Sequence, residues 1–173
     1  MSVLEKFKSI RTFIFDVDGV MTDGSVQVFE TGEQVRRMNT RDGYCLQLAV
    51  KKGYRIVVIS GALSEGVRQR LDYLGIKDIF LDVHDKVAVL RQYASDHGLD
   101  KDGMLYMGDD IPDYLPMQFV GLACAPADAA PEIRHIAAYI SSFNGGQGCV
   151  RDVIEKVLKL NGHWDLQTTV ASK

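Results

Sequence analysis

No stretch of the chain approaches the ~20 consecutive apolar residues that cross a bilayer. Residues 1–10 are mixed and charged, without the apolar centre of a secretory leader. Both absences lead to the expectation of a soluble, cytoplasmic protein with no membrane partner. A basic excess is also missing: 20 Lys+Arg against 23 Asp+Glu give a formal net charge of −3. A general nucleic-acid binder would carry the opposite balance, whereas an anionic small substrate stays possible because local fields decide its binding. Cys45, Cys124 and Cys149 are odd in number and far apart, with no paired metal spacing and no histidine beside them. Reduced thiols without a catalytic role are therefore expected. There is no internal repeat, low-complexity stretch or linker. The 173 residues, 46% apolar and 25% charged, suit one globular domain over 1–160, followed by a polar tail over 161–173.

What is present begins with residues 12–24, Thr-Phe-Ile-Phe-Asp16-Val-Asp18-Gly19-Val-Met-Thr-Asp-Gly. The apolar run 12–15 predicts a buried strand. If that strand continues, alternation puts Asp16 and Asp18 on one face. Two like charges there need a compensating cation. Beyond it the pattern predicts a hairpin over 25–40 and a helix over 42–52 stopped by Gly53. A strand over 55–59 and a helix over 63–74, capped by Ser64, come next. Then follow a strand over 78–81, a helix over 86–97, a strand over 104–107 and a short helix after Ile111. The chain closes with a strand over 120–124, a helix over 131–138, a strand over 138–141 and an amphipathic helix over 151–160. Alternating strands and helices imply a doubly wound, three-layer α/β fold with a parallel sheet. Such sheets bind ligands at the carboxyl ends of their strands.

The polar residues fall at those ends. Asp16 and Asp18 follow the first strand, Ser60 and Gly61 the second, and Lys86 opens the helix after the third. Asp109, Asp110 and Asp113 follow the strand over 104–107. Each group alone is ordinary: a capping aspartate, a Ser-Gly turn, a solvated lysine, an acidic loop. Their joint occurrence in one order is not, and the chemistry it fits is phosphoryl transfer. Asp16 is the expected nucleophile, forming an aspartyl-phosphate. Mg²⁺ is expected on Asp16, the backbone carbonyl of Asp18 and Asp109. Asp18 is the expected general acid and base. Ser60, the Gly61 N–H and Lys86 would neutralise phosphate oxygens. Asp110 and Asp113 would orient Lys86 or metal-bound waters.

These four groups resemble the motifs of the haloacid dehalogenase-like phosphatases. The segments 15–24, Thr40-Arg-Asp-Gly43, Asp85-Lys86 and Gly145-Gly-Gln-Gly-Cys-Val-Arg151 narrow the likeness to that family's capless subgroup. The subgroup acts on 3-deoxy-D-manno-octulosonate 8-phosphate or on nonulosonate 9-phosphates. The resemblance implies a Rossmann-like sheet with a hairpin flap in place of a cap domain. It also implies a homotetramer in which a neighbour roofs the site. Thr40 and Arg70 would then reach the carboxylate of a sugar bound in the adjacent subunit. Gly145–148 and Arg151 would belong to a mobile segment closing over the substrate. Ala62 departs from the Arg or Glu usual after the Ser-Gly motif and leaves the sugar open; the four motifs and the subgroup segments favour the eight-carbon substrate, with the nine-carbon one as the alternative. Cys149 stands where Ala is common, a packing substitution, and Pro112 is unusual within the acidic motif but leaves its acids in place. Tyr44 reads as helix packing, and His84, two residues before Lys86, can line the site. A phosphate-accepting receiver domain has its acids in another order. A non-catalytic scaffold of the same fold would lack the reason for an intact acid set.

Overall fold

The computed structural model describes residues 2–165. Six strands form one parallel sheet, and the strand at its centre is the one the apolar run predicts. They are β1 (Thr12–Phe15), β4 (Arg55–Ile59), β5 (Asp78–Phe80), β6 (Met104–Met107), β7 (Leu122–Ala125) and β8 (Tyr139–Ile140), in the order β5-β4-β1-β6-β7-β8. All four β1 residues are buried, as both faces of a parallel sheet are covered. Alternation along β1 divides the interior. Phe13 and Phe15 face one layer, with Leu46, Leu71, Val153 and Ile154. Ile14 faces the other, with Leu90, Tyr106, Met117 and Ile133.

The first layer holds α1 (Val3–Ser9), α2 (Thr40–Lys51), α3 (Glu65–Tyr73) and α7 (Cys149–Leu160), and the second α4 (Lys86–Asp96), α5 (Tyr114–Phe119) and α6 (Pro131–Ile136). Helix α1 is not foreseen by the sequence pattern, because Phe7 is its only buried residue. A capping box between Ser2 and Glu5 starts it, and the Phe7 ring meets Tyr139 edge-on at 5.1 Å. Helix α7 begins two residues earlier than its apolar stripe suggests. Its N-cap Gly148 has no side chain, and Asp42 of α2 reaches across to accept the Arg151 N–H at 2.8 Å.

The hairpin is β2 (Gln27–Val28) paired antiparallel with β3 (Gln34–Val35), separate from the main sheet. It carries exposed Val28, Phe29 and Val35. The polar tail expected from residue 161 starts by docking. The Tyr54 hydroxyl lies 2.9 Å from His163 Nδ1, and Trp164 packs against the core beneath Arg151 and Lys159. The rest of that segment, 166–173, lies outside the described residues.

Candidate active site

The carboxyl ends of β1, β4, β5 and β6 surround a pocket of about 460 Å³ lined by Asp16, Asp18, Ser60, Gly61, Lys86 and Asp109. Asp16 is fixed where β1 stops. Its N–H donates to the Met107 carbonyl at 3.1 Å, tying it to β6. Its carboxylate accepts the Val17 N–H on Oδ1 at 2.7 Å and faces Lys86 Nζ across 2.8 Å on Oδ2.

The strand does not continue to Asp18, so pleat alternation does not relate the two acids. A wide helical turn over Val17–Met21 intervenes, with Asp18 extended (φ −71°, ψ 124°) and Gly19 left-handed (φ 83°). A Cβ on Gly19 would stand 2.0 Å from Asp109 Oδ2. Only glycine permits both this backbone and this approach, which brings the Asp18–Gly19 peptide against the Asp109 carboxylate. The Asp18 side chain turns toward the hairpin. Arg36 grips it with two bonds, Nε to Oδ1 at 2.7 Å and Nη2 to Oδ2 at 3.1 Å.

Beneath Asp16 lies a chain of buried polar groups. Lys86 Nζ donates to Asp113 Oδ1 at 2.8 Å, the Tyr106 hydroxyl donates to the same oxygen at 2.7 Å, and the Asp109 N–H reaches Asp113 Oδ2 at 3.1 Å. Burial together with the Asp113 charge pushes Asp16 up to about 8, against the pull of Lys86. Burial, then Asp113 and Asp110, pushes Asp109 up to about 7. Burial works to lower Lys86, but Asp113 and Asp16 outweigh it and its value rises. Acids thus outnumber the lysine, and the raised carboxylates mark a place where more positive charge fits.

Oxygens of Asp16, Asp109 and Asp113 lie within 4.8 Å of one another. A set made only of oxygens suits a hard divalent cation. Asp113 already accepts from Lys86, Tyr106 and the Asp109 N–H, so Asp16, Asp109 and the adjacent Asp18 backbone are the better ligands.

The opposite wall is made by Ser60, at the end of β4. Its Oγ accepts the Ala62 N–H at 3.3 Å. The loop leading to α4 straps over this corner, with Val83 N–H bonded to the Ser60 carbonyl at 3.1 Å. Ala62, His84 and Pro112 line the outer part of the pocket. Asp110 also lines it, but its carboxylate closes its own turn by accepting the Ile111 N–H at 2.8 Å. Of the two acids expected to orient Lys86 or metal-bound waters, Asp113 makes the contact to Lys86.

Three expected substrate residues sit elsewhere within the chain. Thr40 opens α2 and is exposed. Arg70 lines a hollow between the hairpin and α3 together with Arg36 and Ser64. Arg151 is ion-paired with Glu155 at 3.0 Å and lines a separate hollow along α7.

The glycine segment expected to close over the substrate is docked in this structure against the turn that carries Asp18. Gly146 N–H donates to the Val20 carbonyl at 2.9 Å, Gly145 N–H to Asp128 Oδ1 at 2.9 Å, and Asn39 Nδ2 to the Gly146 carbonyl at 3.1 Å. A Cβ on Gly145 would lie 2.0 Å from the Gly19 carbonyl oxygen. These glycines wedge against the turn that carries Asp18. Buried Cys149 adds an Sγ contact to the Val20 carbonyl at 3.2 Å, in keeping with a packing role.

Two residues of the site had no role in the sequence reading. Tyr106 had a signal, since a tyrosine in a fully buried strand needs a partner for its hydroxyl. Arg36 had none: its partner lies across the hairpin turn, 18 positions away.

No family model matches the chain. Among curated proteins it is 32% identical over 163 residues to the 3-deoxy-D-manno-octulosonate 8-phosphate phosphatase KdsC of Escherichia coli K12, spanning 94% of this chain and 87% of that protein. Among solved structures, the phosphatase of the same name from Yersinia pestis superposes with a TM-score of 0.90 at 31% identity, covering 93% of this chain and 87% of that one. That from Moraxella catarrhalis, solved with magnesium, phosphate and KDO, gives 0.89 at 30% identity, covering 92% of both chains.

Proposed function

The chain belongs to the 3-deoxy-D-manno-octulosonate 8-phosphate phosphatases of the haloacid dehalogenase-like superfamily, and from that premise we propose that it hydrolyses this eight-carbon acidic sugar phosphate with Mg²⁺. The observation that carries the reading is the convergence of Asp16, Lys86, Ser60 and Asp109 on one pocket at the strand ends. The likeness to relatives of that activity supports the substrate. The place in metabolism that follows is the synthesis of cell-surface lipopolysaccharide.

Asp16 attacks the phosphorus as the bond to the sugar oxygen breaks, and Asp18 gives that oxygen its proton. Water then attacks the aspartyl-phosphate, Asp18 takes the water's proton, and phosphate leaves with Asp16 regenerated. Lys86, Ser60 Oγ and the Gly61 N–H hold the phosphate oxygens. Asp16, Asp109 and the Asp18 carbonyl would hold Mg²⁺, which would neutralise the phosphate charge. Asp113 keeps Lys86 aimed, and Asp110 shapes the loop behind it.

Ala62 lines the outer pocket without a polar group, so the nine-carbon 9-phosphate is the second reading. The cytoplasm is the proposed location. Three buried free cysteines favour it, and among the described residues no helix is long and apolar enough to cross a membrane. A homotetramer is the proposed assembly, favoured by the apolar hairpin surface. In it Thr40 and Arg70 would reach a neighbour's substrate carboxylate, and Arg151 would hold the sugar from the same or an adjacent subunit. Phosphate release with the eight- and nine-carbon keto-acid phosphates tests the substrate directly. A preference for simple hexose phosphates over both would overturn it.

A further inference from the structure

Asp16 is held from every side, yet the residue proposed to move both protons is not. Asp18 sits beyond the end of β1, in a turn with a left-handed glycine after it, and its side chain is 31% exposed. No sheet register fixes its carboxylate. Among the described residues, the side-chain partner that the geometry gives it is Arg36, whose own side chain is only 5% exposed.

That burial is hard to explain by stability. A buried guanidinium is costly unless its donors are satisfied. Here Nε and Nη2 are spent on Asp18, while Nη1 is buried with no hydrogen-bond partner. What the arrangement does gain is geometry. Two parallel bonds fix the plane and the direction of a carboxylate, which a lysine's point charge cannot do. Each Asp18 oxygen keeps a lone pair free of the fork, available for a proton.

We infer that Arg36 is a positioning residue for the phosphatase reaction: it carries the hairpin's influence to Asp18 and orients that carboxylate toward the leaving oxygen and, later, toward the attacking water. This rests on the roles proposed for Asp16 and Asp18, and it assigns the hairpin a part in chemistry within its own chain. Arg36 is not among the residues that line the strand-end pocket; it acts through Asp18.

The test separates orientation from folding by leaving group. With p-nitrophenyl phosphate, departure of the phenolate needs little protonation, so formation of the aspartyl-phosphate should survive in Arg36→Met while its hydrolysis slows. A burst of p-nitrophenol followed by slow turnover is expected, with kcat and KM both down about 10- to 100-fold and kcat/KM changed less than about threefold. With a primary alkyl phosphate both steps need Asp18, so the loss should be larger and the burst absent. Arg36→Lys should fall between Arg36→Met and the wild type, and serves if Arg36→Met folds poorly by circular dichroism. In an Asp18→Asn background, Arg36→Met should change the residual rate less than about twofold, since the group it orients is gone. Equal losses in kcat/KM on aryl and alkyl phosphates, additive losses in the double variant, or a kcat within twofold of wild type would each overturn the inference. The aryl substrate does not depend on the sugar, so a wrong substrate reading would leave this test intact.

Discussion

Asp16 and Asp18 stand two residues apart, but the first is anchored in the interior and the second at the surface. On the Asp16 side, Lys86, Asp113 and Tyr106 form a continuous buried chain across β1, β6 and the start of α4. On the Asp18 side, a turn and a two-stranded hairpin meet through one arginine. The contrast suits the roles proposed for the two acids. The atom that bonds phosphorus must be placed by something that cannot move. The group proposed to give a proton to the leaving alcohol, and then to take one from water, needs a fixed direction but not a place in the sheet. Sheet ends supply the first, and a hairpin supplies the second.

The sharpest way to break this comparison is to remove each acid in turn. Asp16→Asn should lower phosphate release by roughly 10⁴-fold or more, since no other group can form the covalent intermediate. Asp18→Asn should cost about 10²- to 10⁴-fold, the range of general acid–base catalysis. Rapid-quench trapping of labelled phosphoenzyme should find it in Asp18→Asn with an aryl phosphate and not in Asp16→Asn. Phosphoenzyme in both variants would mean that the two roles are wrongly divided.

Next in size is the buried chain. Asp113→Ala would leave Lys86 Nζ, the Tyr106 hydroxyl and the Asp109 N–H without their shared acceptor. Lys86 keeps Asp16, so the loss should be near the low end for a broken buried pair, roughly 3 kcal/mol, read by urea unfolding. No variant on the hairpin should approach that figure. One that did would place the hairpin in the folding core.

Which parts were legible in the sequence follows the same division. The residues after β1, β4 and β6 could be named because local patterns mark them: apolar runs ending in an acid or hydroxyl close to a glycine. The lysine that opens α4 follows the same logic. Arg36 could not be named, because its pairing depends on how the hairpin folds back over the turn. Nor could the true place of Asp18, since nothing local says that the strand ends at Phe15. Gly145 and Gly146 were visible as a motif, but their wedge against Gly19 and Val20 is a contact across more than half the chain. Helix α1 carries no apolar period to mark it, because one buried phenylalanine is too weak a signal, although its capping box is readable.

The acid excess on the Asp16 side gives a prediction in pH. Folding raises Asp16 to about 8 and Asp109 to about 7 from 3.8 in the metal-free chain. The folded state therefore binds more protons than the unfolded one between those values. By linkage, stability then falls as pH rises from about 4 to about 8. Mg²⁺ reverses the sign of the local field, so its stabilising effect should grow over the same window, with protons released on binding. At 100 times its dissociation constant the ion should add about 2.7 kcal/mol. Thermal melts with and without Mg²⁺ at pH 6 and pH 8 measure this. A shift that shrinks toward pH 8 would mean that the acids do not face the ion.

The smallest effect belongs to the outer face of the hairpin. Val28 and Phe29 are exposed at 66% and 44%, and neither belongs to the two buried clusters. Val28→Ser and Phe29→Ser should change the stability of the isolated chain by no more than about 0.5 kcal/mol, as surface substitutions do. Because Arg36 lies on the inner side of the same hairpin, turnover of an aryl phosphate should also hold if the hairpin keeps its shape. What these variants should alter is association, read by light scattering behind size exclusion, because exposed apolar side chains on a short, otherwise unpaired sheet are what a second copy would cover. A variant that keeps the association state of the wild type but loses turnover would shift the hairpin's importance from its outer face to Arg36. One that becomes monomeric while keeping aryl phosphatase activity would show that the Asp18 half of the site is complete within one chain.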